Sequence, residues 1–216
     1  MDWASPNHGA RRGGLRPSLI VLHYTGMATL AEARARLCDP VFEVSAHWLL
    51  GVDGTAEALV AEDRRAWHAG AGSWGAITEV NSASIGVEVQ NPGDAPYPEP
   101  QMAGLERLLA GIMQRWGIRP EAVIAHSDMA PTRKIDPGPR FDWARLARSG
   151  LSVWPQPGPG AVAEFAADAR RFGYPVVADA AVLSAFRLRF RPWAKGPLDR
   201  VDAGLAADLA ARFPAG

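Results

Sequence analysis

Two histidines and one aspartate are the residues whose types and positions first suggest a reactive centre. His23 ends the apolar run 19–22, and His126 follows the short apolar run 123–125, with Asp136 ten residues further on. If both runs are strands, their ends present side chains at one rim of a sheet, so the three groups could converge. Two neutral imidazoles and one carboxylate are a donor set typical of catalytic zinc, which keeps a fourth position for water. The spacing alone leaves structural histidines, bonded to backbone carbonyls, as an open alternative.

Two further charged residues, Glu88 and Lys134, could take part in such chemistry. Glu88 stands between two valines in a run that otherwise has a buried character. On a strand with one wet face it would be a surface carboxylate, whereas in an apolar setting its pKa would rise and it could act as a general base. Lys134, two residues before Asp136, is either a solvated lysine or, beside a metal, a group that stabilises an oxyanion. The residue types alone leave both pairs of alternatives open.

The elements that would hold these residues alternate between short apolar runs and amphipathic helical patterns, which is typical of a sheet covered by helices. Thr29 and Glu32 have the spacing of a capping box, and Gly117 with Pro120 indicates the end of a longer helix. We therefore expect an α/β fold with a mixed central sheet and flanking helices. The predicted strands cover 19–24, 45–50, 84–90 and 123–125, and the predicted helices cover about 30–37 and 101–116.

A segment in which prolines and glycines alternate, residues 154–160, is the best candidate for a linker. It divides the chain into a predicted catalytic domain, 1–153, which holds all five histidines, and a small domain, 161–216. Helical spacing predicts three helices in the small domain: one over 162–172, one with Asp179 as its N-cap, and one that starts near Asp202. A chain ending near Pro155 is expected to keep the chemistry, unless the three helices cover an apolar face of the sheet.

The overall composition is that of a globular protein of one or two domains, with 216 residues, 48% hydrophobic and 21% charged. Basic and acidic residues number 23 each, so the formal net charge is zero, which argues against nucleic acid or an anionic membrane as a bulk partner. The single cysteine, Cys38, excludes an intramolecular disulfide and a thiolate metal site.

The first residues contain an early acid, Asp2, and no apolar core of a signal peptide. No run of 18 apolar residues occurs, so no transmembrane segment is expected. From these features we expect a cytoplasmic protein, or a periplasmic or cell-wall-associated one if a leader has been trimmed.

Five segments between about residues 5 and 145 match, in order, the motifs of one enzyme family. The longest runs from His126 to Pro139 and continues in Phe141-Asp142-Trp143. The other four are 5–7, 21–25, 45–48 with Asp53-Gly54, and 67–70, which leads through Asn81 to 84–88. This series closely resembles the zinc-dependent N-acetylmuramoyl-L-alanine amidases of the type 2 family, relatives of the peptidoglycan recognition proteins.

The resemblance implies a role for each candidate. It places zinc ligands on His23, His126 and Asp136, a catalytic glutamate on Glu88 and a catalytic lysine on Lys134. It implies hydrolysis of the amide between the lactyl group of N-acetylmuramic acid and L-alanine, with peptidoglycan or a muropeptide as the partner. The residues that it suggests for substrate binding have packing or turn chemistry as their alternatives; they are Tyr24, Trp67, His68, Asn81 and Asn91.

The last part of the chain resembles, more loosely, the three-helix peptidoglycan-binding domains that follow such amidases. Its segment 186–192 is similar to their central helix and the exit from it. The alternative is a helical bundle that only stabilises the catalytic domain. Two other functions stay open: a wall-binding protein without catalysis, and a zinc peptidase that cuts within the stem peptide.

Overall fold

The computed structural model describes residues 5–215 and is built around a five-stranded mixed sheet. The strands are β1 (His8–Gly9), β2 (Leu19–Tyr24), β3 (Trp48–Leu50), β4 (Ala56–Ala58), β5 (Arg65–Ala66), β6 (Ser84–Val89) and β7 (Val123–Ala125). Their order in the main sheet is β4-β3-β6-β2-β7, in which β4 alone runs antiparallel to its neighbour. β1 and β5 form a separate antiparallel pair.

Eight α-helices surround the sheet in the part of the chain that is described. They are α1 (Leu30–Cys38), α2 (Val80–Ala83), α3 (Glu99–Trp116), α4 (His126–Met129), α5 (Trp143–Arg148), α6 (Phe165–Phe172), α7 (Asp179–Phe190) and α8 (Arg200–Arg212). The predicted capping box is present at α1, where Thr29 accepts from the Glu32 amide. α3 ends, as predicted, at Gly117, which adopts the left-handed conformation with φ of 66°.

Strand β2 shows how the sequence forms two cores. Its residues 19–22 are at most 3% exposed, because both faces of this central strand are covered. Ile20 and Leu22 pack in a core with α3 and α5, whereas Leu19 and Val21 pack in a second core with α6, α7 and α8. The sheet is therefore sandwiched between helices, which confirms the expected α/β fold class.

Several predicted boundaries were wrong by a few residues. The strand predicted over 45–50 begins only at Trp48; the Ser45 amide bonds to Trp67 O outside the sheet, and the first amide that bonds to β6 is that of His47. The strand predicted over 84–90 ends at Val89. Asp179 is the first residue of α7 rather than its N-cap. α8 begins at Arg200, because the carboxylate of Asp199 accepts from the amides of Val201 and Asp202.

The segment 154–160 has no regular secondary structure, but it lies tightly against α8. A Cβ atom placed on Gly204 would come within 2.1 Å of Gly158 O, so only glycine permits this approach. The Gln156 amide donates to Asp208 Oδ2 at 2.9 Å, and Arg212 Nη2 donates to Trp154 O at 3.0 Å. The division into domains stays a prediction, but these contacts hold the segment in place. Among residues 5–215, no helix is long and apolar enough to cross a membrane.

Candidate active site

His23, His126 and Asp136 meet at the carboxyl end of two neighbouring strands. His23 lies in β2, and His126 directly follows β7, which pairs parallel with β2. The Nδ1 atoms of the two histidines are 2.8 Å apart, and each lies 3.0 Å from Asp136 Oδ2. All three residues are buried. The structure thus brings together the three residues that the spacing suggested, as a group with metal-binding geometry.

The outer nitrogen of His126 determines which tautomer the ring adopts. His126 Nε2 lies 2.9 Å from Ala69 O, and a carbonyl oxygen can only accept a hydrogen bond. The proton of the neutral ring therefore resides on Nε2. The lone pair of Nδ1 is free and faces the other two ligand atoms.

A chain of three hydrogen bonds determines the tautomer of His23 in the same way. The Ser84 hydroxyl donates to Val80 O at 2.6 Å, so it accepts from Nε2 of His68 at 3.2 Å. His68 Nδ1 then accepts from His23 Nε2 at 3.0 Å. The lone pair of His23 Nδ1 is left facing His126 and Asp136.

These three side chains fit a zinc ion. Two imidazole lone pairs and a carboxylate oxygen point at one another without a proton between the two nitrogens, an arrangement that a divalent cation stabilises. Burial, with a contribution from the neighbouring His126, lowers the pKa of His23 to about 4. His23 is thus neutral at physiological pH, as a metal ligand must be.

Glu88 lies beside this group, at the position of β6 that pairs with His23 in β2. Its Oε2 atom is buried and has no hydrogen-bond partner among residues 5–215. Burial raises the pKa of Glu88 well above its ordinary value, and the charge of Asp136 adds to the increase while Lys134 opposes it. Glu88 is thus partly exposed at the edge of the group, while its buried Oε2 atom and its raised pKa favour the environment expected of a general base.

An open cleft of about 390 Å³ surrounds these residues. Lys134 lines it together with Glu88 and the three grouped residues. Of the residues suggested for substrate binding, Tyr24, Trp67 and His68 also line the cleft.

Asn81 and Asn91 are not in the lining of the cleft, and each supports a loop. Asn81 Oδ1 accepts from the amides of His68 and Ala69, at 3.1 and 2.8 Å. Asn91 Oδ1 accepts from the Gly93 amide at 2.8 Å. The turn chemistry that was the alternative for both residues accounts for their contacts, and the interpretation as substrate-binding residues is not supported by their positions.

Sequence reasoning missed several residues of the site. Arg36 and Arg133 add two cations to the cleft lining, and Arg133 donates to the carbonyls of Ala69 and Ala71. Ser84 was predicted only as part of a strand. The signal that could have drawn attention to this region is Gly86, a glycine inside a buried strand, which indicates a close approach by another group.

Comparison with known proteins identifies the family. The sequence profile of a family described as N-acetylmuramoyl-L-alanine amidase matches residues 13–139. The N-acetylmuramoyl-L-alanine amidase AmiD of Escherichia coli is 34% identical over 212 residues, which cover 82% of this chain and 76% of AmiD. The chain belongs to the N-acetylmuramoyl-L-alanine amidase family. The 1,6-anhydro-N-acetylmuramyl-L-alanine amidase AmpD of Haemophilus influenzae is 36% identical over 163 residues, 67% of this chain and 89% of AmpD.

Solved structures of the amidase family agree with this fold. AmiD of Escherichia coli, in complex with the substrate anhydro-N-acetylmuramic acid-L-Ala-D-gamma-Glu-L-Lys, superimposes with a TM-score of 0.85 at 32% identity, covering 94% of this chain and 92% of that chain. AmpDH3 of Pseudomonas aeruginosa, in complex with anhydromuramic pentapeptide, superimposes with a TM-score of 0.83 at 30% identity. The match covers 94% of this chain and 95% of AmpDH3. These matches confirm the expected architecture and the expected amidase activity, and the similarity extends into the C-terminal helices.

Proposed function

We propose that this amidase is zinc-dependent, that His23, His126 and Asp136 hold the metal, and that a soluble anhydro-muropeptide is a substrate. The observation that carries the proposal is the convergence of two unprotonated imidazole nitrogens and a carboxylate oxygen beside the unpartnered, buried oxygen of Glu88. The bond cleaved is the amide between the lactyl group of N-acetylmuramic acid and L-alanine.

Zinc in this position supplies Lewis-acid chemistry, since it acidifies water and polarises a carbonyl. Glu88 acts as the general base that takes a proton from the attacking water, because its raised pKa makes its carboxylate a stronger base than an exposed one. The same group, once protonated, delivers its proton to the leaving nitrogen of L-alanine. The Lys134 ammonium lies in the same cleft and stabilises the negative charge that develops on the carbonyl oxygen.

The charges of the cleft support a peptide substrate with free carboxylates. Arg36, Arg133 and Lys134 give the lining three cations, against the two carboxyl groups of Glu88 and Asp136. A stem peptide carries carboxylates that such cations attract. The solved structures of AmiD and AmpDH3 hold anhydromuramyl peptides, which favours this class of substrate here.

For the C-terminal helices we propose a second contact with the glycan-peptide polymer. A surface groove is lined by residues of α7 and of the turn after it, among them Leu183, Pro192 and Leu198. Trp193 stands next to this groove and is 69% exposed. Exposed aromatic rings provide flat, partly apolar surfaces of the kind that sugar rings contact.

Digestion of sacculi and of a purified anhydro-muropeptide side by side tests the substrate, with products identified by mass spectrometry. An intact stem peptide and a peptide-free anhydromuramyl sugar are expected. A shortened stem peptide would instead indicate a peptidase, and no product at all would indicate a binding protein. A preference for the soluble muropeptide agrees with a cytoplasmic location, and a preference for sacculi agrees with a periplasmic one.

A further inference from the structure

A buried carboxylate lies two residues after the proposed ligand His126. Asp128 is fully buried and accepts three hydrogen bonds. Its Oδ2 atom accepts from the Ala125 amide at 2.9 Å and from Arg189 at 2.6 Å, and its Oδ1 atom accepts from the Tyr174 hydroxyl at 2.7 Å. Two of these three donors belong to the C-terminal part of the chain.

Arg189, on α7, reaches from the C-terminal helices into the end of the sheet. Its side chain is fully buried, and it donates to Val123 O of β7 at 3.0 Å and to Ser152 Oγ at 3.1 Å, in addition to Asp128. The guanidinium also lies over the ring of Trp143, 4.4 Å from its centroid. Arg189 thus joins α7 to the strand, β7, and the short helix, α4, on either side of the point where His126 begins.

The segment that carries His126 depends on such contacts. α4 has only four residues, too few to be stable by its own hydrogen bonds. The Ser127 amide donates to Asp136 O at 3.0 Å, which couples this helix to the backbone of a second proposed ligand. Because breaking a buried ion pair leaves an uncompensated charge, the loss of Arg189 would force Asp128 to move or to recruit water. Either change displaces the turn that holds the ligands.

We infer that Arg189 of the C-terminal helices is a positioning residue for the metal centre, acting through Asp128 on the turn that carries His126. The inference rests on the proposed zinc ligands. It adds a role for the C-terminal helices that is separate from polymer binding: they help to build the active site.

The experiment compares Arg189→Met with Arg187→Met in the full-length chain. Both variants remove a buried arginine from α7, but the side-chain hydrogen bonds of Arg187 go to Asp202, Gly196 and Pro197 inside the C-terminal part, whereas Arg189 bonds to Asp128 of α4. Zinc affinity is measured by competition with a chelator, at a temperature where circular dichroism shows both variants to be folded. Thermal unfolding and turnover of a soluble anhydro-muropeptide are measured in parallel.

Arg189→Met is expected to weaken zinc binding about 10- to 100-fold, the range typical for residues that orient metal ligands. It is also expected to lower kcat with little change in KM. Arg187→Met is expected to bind zinc as the wild type does, whatever its loss of thermal stability. If both variants bind zinc with wild-type affinity, or lose it to the same extent, the inference is overturned.

Tyr174→Phe provides a milder test if Arg189→Met does not fold. It removes one hydrogen bond to Asp128 and no charge, and a smaller loss of zinc affinity in the same direction is expected. Unchanged affinity in this variant would contradict the inference. Failure of the proposed function has a different signature, because the wild type itself would then bind no zinc at the cleft.

Discussion

The imidazole of His68 lies over Gly86, where a Cβ atom would come within 2.4 Å of the ring. The absence of a side chain at Gly86 in β6 is therefore what gives His68 room to reach His23. His68, which the sequence suggested for substrate binding, lines the cleft and also contacts His23 Nε2, the nitrogen of a proposed metal ligand that faces away from the other two ligands.

His68→Ala is expected to weaken zinc binding about 10- to 100-fold, because His23 Nε2 loses the acceptor that determines its tautomer. Chelator competition measures this change. A role in substrate binding alone would raise KM and leave zinc affinity unaltered.

Gly86→Ala should also weaken zinc binding, since the new methyl group displaces His68 from its position beside His23. Gly111→Ala in α3 is the matched control, because its Cβ would meet only the flexible end of Arg115 at 3.0 Å. That control should bind zinc normally and gain about 0.5–1 kcal/mol of stability from the better helix former.

Glu88→Gln is expected to reduce the rate by about 10²- to 10⁴-fold with zinc content still near one per chain, because the amide keeps the shape of the side chain but has no basic site. Product formation and metal analysis are measured on the same preparation. Loss of zinc, or near wild-type turnover, would show that the role given to Glu88 is wrong.

The raised pKa of Glu88 also has a consequence for stability. In the folded state burial favours the neutral carboxyl, so its contribution to stability is present at low pH and is lost as pH rises through the raised pKa. Metal-free Glu88→Gln should therefore unfold at a higher temperature than the metal-free wild type at neutral pH, and the difference should shrink at acidic pH. A difference independent of pH would contradict this origin.

Removal of zinc with a chelator should abolish turnover, and added zinc should restore it. His126→Ala should lose metal and activity together and should not be rescued, because one of three ligands is absent. His8→Ala is a suitable control, since this histidine lies in β1 and is not part of the cleft lining. Full activity in metal-free protein would refute the zinc proposal.

A chain ending at Pro155 tests the predicted independence of the catalytic part. The structure leads us to expect that the truncated chain is unstable. Truncation exposes the sheet face formed by Leu19, Val21 and Ile124, and it removes Arg189, the ion-pair partner of Asp128. We expect poor solubility and weakened zinc binding, measured by size-exclusion chromatography and chelator competition. A folded, zinc-binding truncation would show that the two parts are separable.

The parts of this molecule that could be predicted from the sequence are those marked by a pattern among residues close together in the chain. β2 was visible as an uninterrupted apolar run, α1 as a capping pair, and the site residues as members of ordered motifs. The ion pair between Asp128 and Arg189 had no local signal, because the two residues are 61 positions apart and each has the appearance of a surface charge. The same is true of Ser84, whose role depends on Val80 and His68 approaching it in space.

The contact between Gly158 and Gly204 has a consequence for recombination between amidases of this family. A chimaera joined within 154–160 would pair the segment of one parent with the α8 helix of the other. A Cβ atom at position 204 would come within 2.1 Å of Gly158 O, and one at position 160 within 2.3 Å of the backbone of Ala203, so either would separate the two surfaces. A crossover point before Asp128 keeps two matched contacts within one parent: the segment 154–160 against α8, and Asp128 against Arg189 of α7. The proline- and glycine-rich segment is thus inherited with the helices that follow it, not as an interchangeable connector.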